Sequence, residues 1–276
     1  MLRLLQIEFI KLWNNRSSRI LIIAYFVLLT FIALFATVKF DIGDVHFQLA
    51  DQGIFNFPYI WHFNTYIAAF FKLFLAIVIV SMMSNEYSNK TIKQNLIDGL
   101  SKKEFILSKF ITVVLFAAAS TVFIFIVSFI LGLIYSDYNE LSIIFSGLGY
   151  LVAFFVKLLG FFSFCLFLGI FVKRSAFALG FLILWQVIEG IIYGLIRWQT
   201  TDVITQRITQ FLPLEAMSNL IKEPFSRLGA VQSVANQIGE SYVKDYAVHW
   251  YEILIVLVWT FLFIYLSYAL LKKRDL

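Results

Sequence analysis

An all-α integral membrane protein is the fold class this sequence predicts, and three observations predict it. Of 276 residues, 61% are hydrophobic and 14% charged, with 32 phenylalanines and a mean hydropathy of +0.86, which is more apolar surface than a water-soluble core of this size can hide. Six apolar runs are each long enough to cross about 30 Å of hydrocarbon at about 1.5 Å per residue. Lys and Arg are spread unevenly among the segments that join those runs, as in chains whose topology is set by charge.

Taken in order, Met1 to Asn14 puts Leu2, Leu5, Phe9, Leu12 and Trp13 on one stripe, with Arg3, Gln6 and Lys11 off it. That pattern predicts a helix lying in the membrane interface. Residues 1–19 are this interfacial helix and its basic turn, which ends with Arg16 and Arg19. Residues 20–276 form a transmembrane domain with spans at about 20–38, 66–83, 110–135, 143–172, 176–196 and 250–271. A basic segment followed by an apolar one also describes a secretory signal peptide. Here the apolar run is longer than a usual signal core and no Ala-x-Ala site closes it, so an uncleaved span is expected. The fourth run exceeds what a crossing needs, and is tilted, broken or partly outside the membrane.

Six spans put both termini on one side. That side carries fourteen basic residues: Arg3, Lys11, Arg16, Arg19, Lys90, Lys93, Lys102, Lys103, Lys109, Lys173, Arg174, Lys272, Lys273 and Arg274. Six are spread over the longer loops of the other side, where Asp41, Asp44, Asp51, Asp137 and Glu140 also fall. The positive-inside rule therefore places both termini and the polar segment 85–109 in the cytoplasm. Among the external segments, 197–249 has Val203, Ile204, Ile208 and Phe211 before Pro213, then Met217, Leu220 and Ile221 before Pro224. The prolines divide it into two short amphipathic helices, which rest on the outer leaflet, cap a pathway, or form a passive loop.

The segment 85–109 has its own internal order. Ser101 and Glu104 have the Ser-x-x-Glu spacing in which each side chain satisfies the other residue's backbone N–H at a helix start. Leu100 and Phe105 flank that start as a hydrophobic staple, and Gly99 is free to end a preceding helix in the left-handed conformation. The preceding helix sets Ile92, Leu96, Ile97 and Leu100 on one face. Two readings fit: a docking element, and a solvated loop whose five lysines hold it in the cytoplasm.

Motifs for chemistry are few. The sequence has no Gly-x-x-x-x-Gly-Lys-Ser/Thr phosphate loop and no Gly-x-Ser-x-Gly elbow, and His46, His62 and His249 lack metal-ligand spacing. A single Cys165 excludes an internal disulfide, and basic residues in short clusters beside apolar runs argue against a nucleic-acid groove. Three ionisable residues lie inside spans, with Lys72 about eleven, Lys157 about fifteen and Glu189 about thirteen residues from the cytoplasmic ends. Charges at that depth are costly enough to pair or face water. Either Glu189 pairs with Lys157 or Lys72 or lines a translocation path, or the lysines snorkel to the outer interface. Gly190 and Gly194 form a Gly-x-x-x-Gly pair that permits close approach of a second helix.

The run Glu86-Tyr87-Ser88-Asn89-Lys90-Thr91, then Leu96, then Gly99-Leu100-Ser101-Lys102-Lys103-Glu104-Phe105-Ile106-Leu107-Ser108-Lys109 resembles the cytoplasmic segment after the second span in type-2 ATP-binding-cassette (ABC) transporter permeases. The layout of interfacial helix, six spans, long last external segment and short basic tail resembles that family too. Lys90 stands where Gly is common, and Leu100 where Pro often precedes Ser. The resemblance implies a permease working as a dimer with a second copy or a paralogue in the bilayer, each bound to an ABC ATPase subunit. ATP and Mg2+ would belong to that ATPase, with no cofactor or catalytic site in this chain. By carry-over, 85–109 is the coupling helix, with Glu86, Tyr87, Thr91, Leu96, Ser101, Lys102, Lys103 and Glu104 facing the partner. The family's dimer seam would take in Gly190 and Gly194. The setting implied is the bacterial cytoplasmic (inner) membrane, and the activity is export of an amphiphilic or peptide-like substrate. The alternatives are a membrane anchor or motor scaffold for a motility or secretion machine, and an intramembrane enzyme. For the last, Lys157 and Glu189 make a poor constellation.

Overall fold

In the computed structural model, the residues described are 2–37, 39–42, 45–48, 53–138, 140–227 and 245–274. The chain runs α1 (Leu2–Asn14), α2 (Arg16–Thr37), a hairpin of β1 (Lys39–Ile42) and β2 (Val45–Gln48), α3 (Tyr59–Phe70), α4 (Lys72–Ser88), α5 (Thr91–Ile97) and α6 (Lys102–Tyr135). It continues α7 (Leu141–Ile144), α8 (Gly149–Val172), α9 (Ser175–Gln199), α10 (Asp202–Thr209), α11 (Pro213–Asn219), a 3-10 turn (Phe225–Arg227) and α12 (Trp250–Lys273). The antiparallel hairpin, with Lys39 opposite Gln48 and Ile42 opposite Val45, falls where the sequence suggested only a loop.

This is a multi-pass helical membrane protein. Four helical stretches among the described residues are long and apolar enough to cross a membrane, at Lys102–Tyr135, Leu141–Val172, Ser175–Gln199 and Trp250–Lys273, and α3 with α4, bent by 45°, has the length and apolarity only when taken as one broken unit. α2 lies where the first of six spans was expected and is 22 residues long, although its side chains from position 32 onward fall outside the described residues. The overlong fourth run is broken: α7 ends at Ile144, Gly147 takes φ of 84°, and α8 begins at Gly149.

The core is built around α8, whose most apolar window is 83% buried, against 11% for α9. α4, α6, α9 and α12 surround it. Two glycines let the neighbours close in. A Cβ on Gly160 would lie 2.7 Å from Val256 Cγ1 of α12, and one on Gly169 would lie 2.9 Å from Met83 Cβ of α4. Only Ala178, Leu182 and Glu189 of α9 are buried, so most of that helix presents apolar side chains outward. α1 splits similarly: Glu8 and Leu12 are buried while Phe9, Ile10 and Trp13 are exposed. The stripe expected from the sequence is thereby split, with Leu12 turned inward beside Glu8 and Phe9 and Trp13 turned out.

α11 returns into the protein, while α10 lies along α9 with Thr205 and Thr209 buried and Val203, Ile204 and Ile208 exposed. α11 sits beside the middle of α8, α9 and α12, where Met217 Cε approaches Gly160 and Trp259 Nε1 donates to the Phe211 carbonyl over 3.0 Å. Of the placements the sequence left open for this segment, a rest on the outer leaflet does not describe α11.

Candidate functional site

The segment 85–109 closes one end of the bundle, and its local chemistry follows the sequence. α4 ends at Ser88, and Lys90 takes a left-handed φ of 55° before α5. Gly99, at φ of 94°, turns the chain, with its N–H on the Leu96 carbonyl and that of Leu100 on the Asn95 carbonyl. Ser101 then caps α6 reciprocally: the Glu104 N–H donates to its hydroxyl over 3.1 Å, and its own N–H donates to Glu104 Oε2 over 3.0 Å.

Beneath this turn is a buried ion cluster that ties four helices together. Lys109 of α6 is fully buried, and its Nζ lies 2.5 Å from Glu8 Oε2 of α1 and 2.6 Å from Glu86 Oε1 of α4. Lys11 adds a second cation 2.9 Å from Glu86 Oε1, and Thr91 at the start of α5 donates to Glu86 Oε2. Two acids and two bases cancel, which makes their burial tolerable. Burial draws the Lys11 pKa down, but the hydrogen bond and charge of Glu86 with the charge of Glu8 outweigh it, and the ammonium titrates above its ordinary value.

The carboxy-terminal tail joins the same end. Arg274 donates to the carbonyls of Ile170 and Phe171, orphan acceptors at the C-terminus of α8, and to the Tyr87 hydroxyl over 3.2 Å. Lys102 Nζ donates to the Arg274 and Lys272 carbonyls at 3.0 and 3.3 Å. The Ser84 hydroxyl accepts from the Ser175 N–H and donates to the Lys173 carbonyl, pinning the α8–α9 turn to α4.

The eight residues marked for coupling therefore divide. Glu86, Tyr87 and Thr91 point inward and bind the segment to the bundle, Leu96 is half-buried, and Lys102 holds the tail. Ser101, Lys103 and Glu104 are exposed at the apex beside Lys93 and Asp98. Ile97 is not on the packed face with Ile92: it is 75% exposed while Ile92 is 2% exposed, so it forms an apolar knob on a polar turn. Sequence reasoning missed Glu8, Lys11 and Lys109 as a cluster. The available signal was the scarcity of acids on the basic side, where each carboxylate has many cations to choose from.

At membrane depth the expected pairing of Glu189 with Lys157 or Lys72 does not occur. The Glu189 carboxylate instead accepts from Trp185 Nε1 over 2.6 Å, from the Leu214 N–H over 3.1 Å and from the Glu215 N–H over 2.9 Å. The physical reason is the return of α11, which brings two unsatisfied N-terminal amides to the acid. Lys157 donates to the Ser218 carbonyl over 3.3 Å, and the Lys72 ammonium lies 4.2 Å from the Phe161 ring centroid. Both lysines line a cavity of about 360 Å³ between α3, α4, α8, α9 and α11. Gly190 and Gly194 lie on the outward side of α9, where an added Cβ meets no atom within 4 Å.

The amino-terminal helix, the polar turn and the tail of this multi-pass helical bundle are gathered at one charged end. The chain belongs to the ABC-2 transporter family: the family described as ABC-2 family transporter protein matches residues 4–276. Among curated proteins none matches the chain.

Proposed function

We propose that the chain is the permease subunit of an ABC transporter and takes its drive from a separate ATPase subunit seated on the α5–α6 turn. One observation carries this reading. The exposed apex of Ile97, Lys103 and Glu104 is joined to the bundle interior by the Lys109, Glu86, Glu8 and Lys11 cluster. A push on the apex is thereby delivered to α1, α4 and α6 together, instead of being absorbed by a loose loop. Family membership supports the same assignment. In this reading α2 is the first of six spans, the apex and both termini are cytoplasmic, and the membrane is the bacterial inner one. α9 meets a second copy or paralogue, and an amphiphilic or peptide-like substrate moves outward.

The test is affinity purification from native membranes of the wild type and of an Ile97→Asp, Lys103→Glu, Glu104→Lys variant, with bound subunits identified. A phosphate-loop ATPase held by the wild type and lost from the variant is the expected result. Absence of any such ATPase from the wild type overturns the reading and favours a membrane anchor. Retention by the variant removes the apex from the interface.

A further inference from the structure

The cavity between the bent α3–α4 pair and α9 has a composition unlike the rest of the membrane-level interior. Two lysines line it, Lys72 on α4 and Lys157 on α8, and among the described residues neither has a carboxylate within salt-bridge distance. The acid nearest in sequence logic, Glu189, is committed to Trp185 and α11. Lys157 is 4% exposed and has one carbonyl for company, so an anion entering the cavity would supply the counter-ion that its amine lacks.

The rim is of opposite character. Phe70, Leu73 and Ile183 are 61%, 50% and 67% exposed, so the mouth is apolar and opens on the lipid-facing side of the bundle. About 360 Å³ lies at the small end of ligand pockets, which run from roughly 300 to 1,000 Å³. That volume suits a headgroup and the start of a chain, with the remainder trailing over the apolar rim.

We propose that this cavity binds the oxyanion of an acidic membrane amphiphile, a carboxylate or phosphate carried on an acyl tail. Lys72 and Lys157 clamp the anion, Gln186 and the Phe161 ring line its surroundings, and the tail leaves past Phe70, Leu73 and Ile183 into the bilayer. Binding needs neither ATP nor a partner. That the bound molecule is also the cargo is a corollary that rests on the transport reading.

The experiment uses the full chain, with whatever subunits co-purify, in phosphatidylcholine nanodiscs doped with one photoactivatable probe at a time. The probes are a fatty acid, a phosphatidylglycerol and a phosphatidylcholine, and cross-linked peptides are mapped by mass spectrometry. Labelling of the 66–73 and 182–186 peptides by at least one anionic probe is expected to exceed labelling by phosphatidylcholine about tenfold, as two charge-assisted contacts allow. The better anionic probe identifies whether free acid or phospholipid is the source. Lys72→Gln with Lys157→Gln removes the preference, and Lys72→Arg with Lys157→Arg keeps it. Equal labelling by all three probes in the wild type overturns the proposal without recourse to any variant, as does a preference that survives the glutamine pair. Neither result bears on whether an ATPase docks at the far end.

Discussion

At the scale of single residues, Lys109 decides the most. Its ammonium is fully buried between Glu8 and Glu86, so Lys109→Met leaves one carboxylate in excess in a nearly dry site. Breaking one partner out of a buried ion cluster costs about 3–5 kcal/mol. We expect a loss of that size in unfolding measured in mixed micelles, and a loosened α1. Adding Glu86→Leu restores neutrality, because Lys11 and Glu8 remain as a pair 3.6 Å apart, and recovers most of the stability. If the double variant is no more stable than the single one, shape and not charge balance holds this end together. The cluster's partners could not be paired from the sequence, since Lys109 and Glu8 are 101 positions apart and no spacing rule connects them; the scarcity of acids on the basic side was the one general signal. The Ser101–Glu104 cap was legible because every atom it needs lies within four residues.

At the scale of elements, the re-entry of α11 explains why the intramembrane charges were misjudged. Sequence placed Glu189 among lysines at similar depth, and left open whether the helices of segment 197–249 rest on the outer leaflet, cap a pathway or form a passive loop. Once α11 arrives, its Leu214 and Glu215 amides compete for the carboxylate and hold it. Glu189→Ala strips those amides and the Trp185 indole of their acceptor, at about 1–3 kcal/mol for each group left buried and unpaired. The cost falls locally: amide exchange at Leu214 and Glu215 should quicken markedly in Glu189→Ala and less in Glu189→Gln, while α8 amides stay protected. Unchanged exchange in α11 means that packing alone seats it. A second element-scale prediction concerns α8 against α12. At Gly160 a methyl group would sit 2.7 Å from the β-branched and therefore stiff Val256, so Gly160→Ala costs about 1–3 kcal/mol of overpacking. Val256→Ala in the same chain should return most of it, and failure to do so transfers the clash to Met217, 3.2 Å away.

At the scale of the molecule, the spans were legible because lipid allows so few solutions for a backbone. Length and apolarity announced α9 and α12 within a few residues, while α6 starts at Lys102, ahead of the expected 110, and α8 at Gly149, after the expected 143. What the sequence left open was which faces meet, and here α8 and α9 are opposites. Both are mainly apolar, yet α8 is enclosed and α9 is mostly bare, with Ile183, Val187, Ile191 and Leu195 all more than half exposed. Lipid covers such a face adequately, so exposure by itself does not require a second chain. The Gly190 and Gly194 surfaces make the distinction testable, because bulk added there touches nothing within the chain. Gly190→Leu with Gly194→Leu should therefore leave the unfolding free energy of the isolated subunit no lower than wild type, because the new side chains meet no neighbour and leucine is the better helix former. If α9 is the seam of a dimer, the same pair abolishes the dimer in single-molecule photobleaching of labelled subunits in liposomes. A dimer that persists with both leucines in place assigns the seam to another helix and leaves α9 to the lipid.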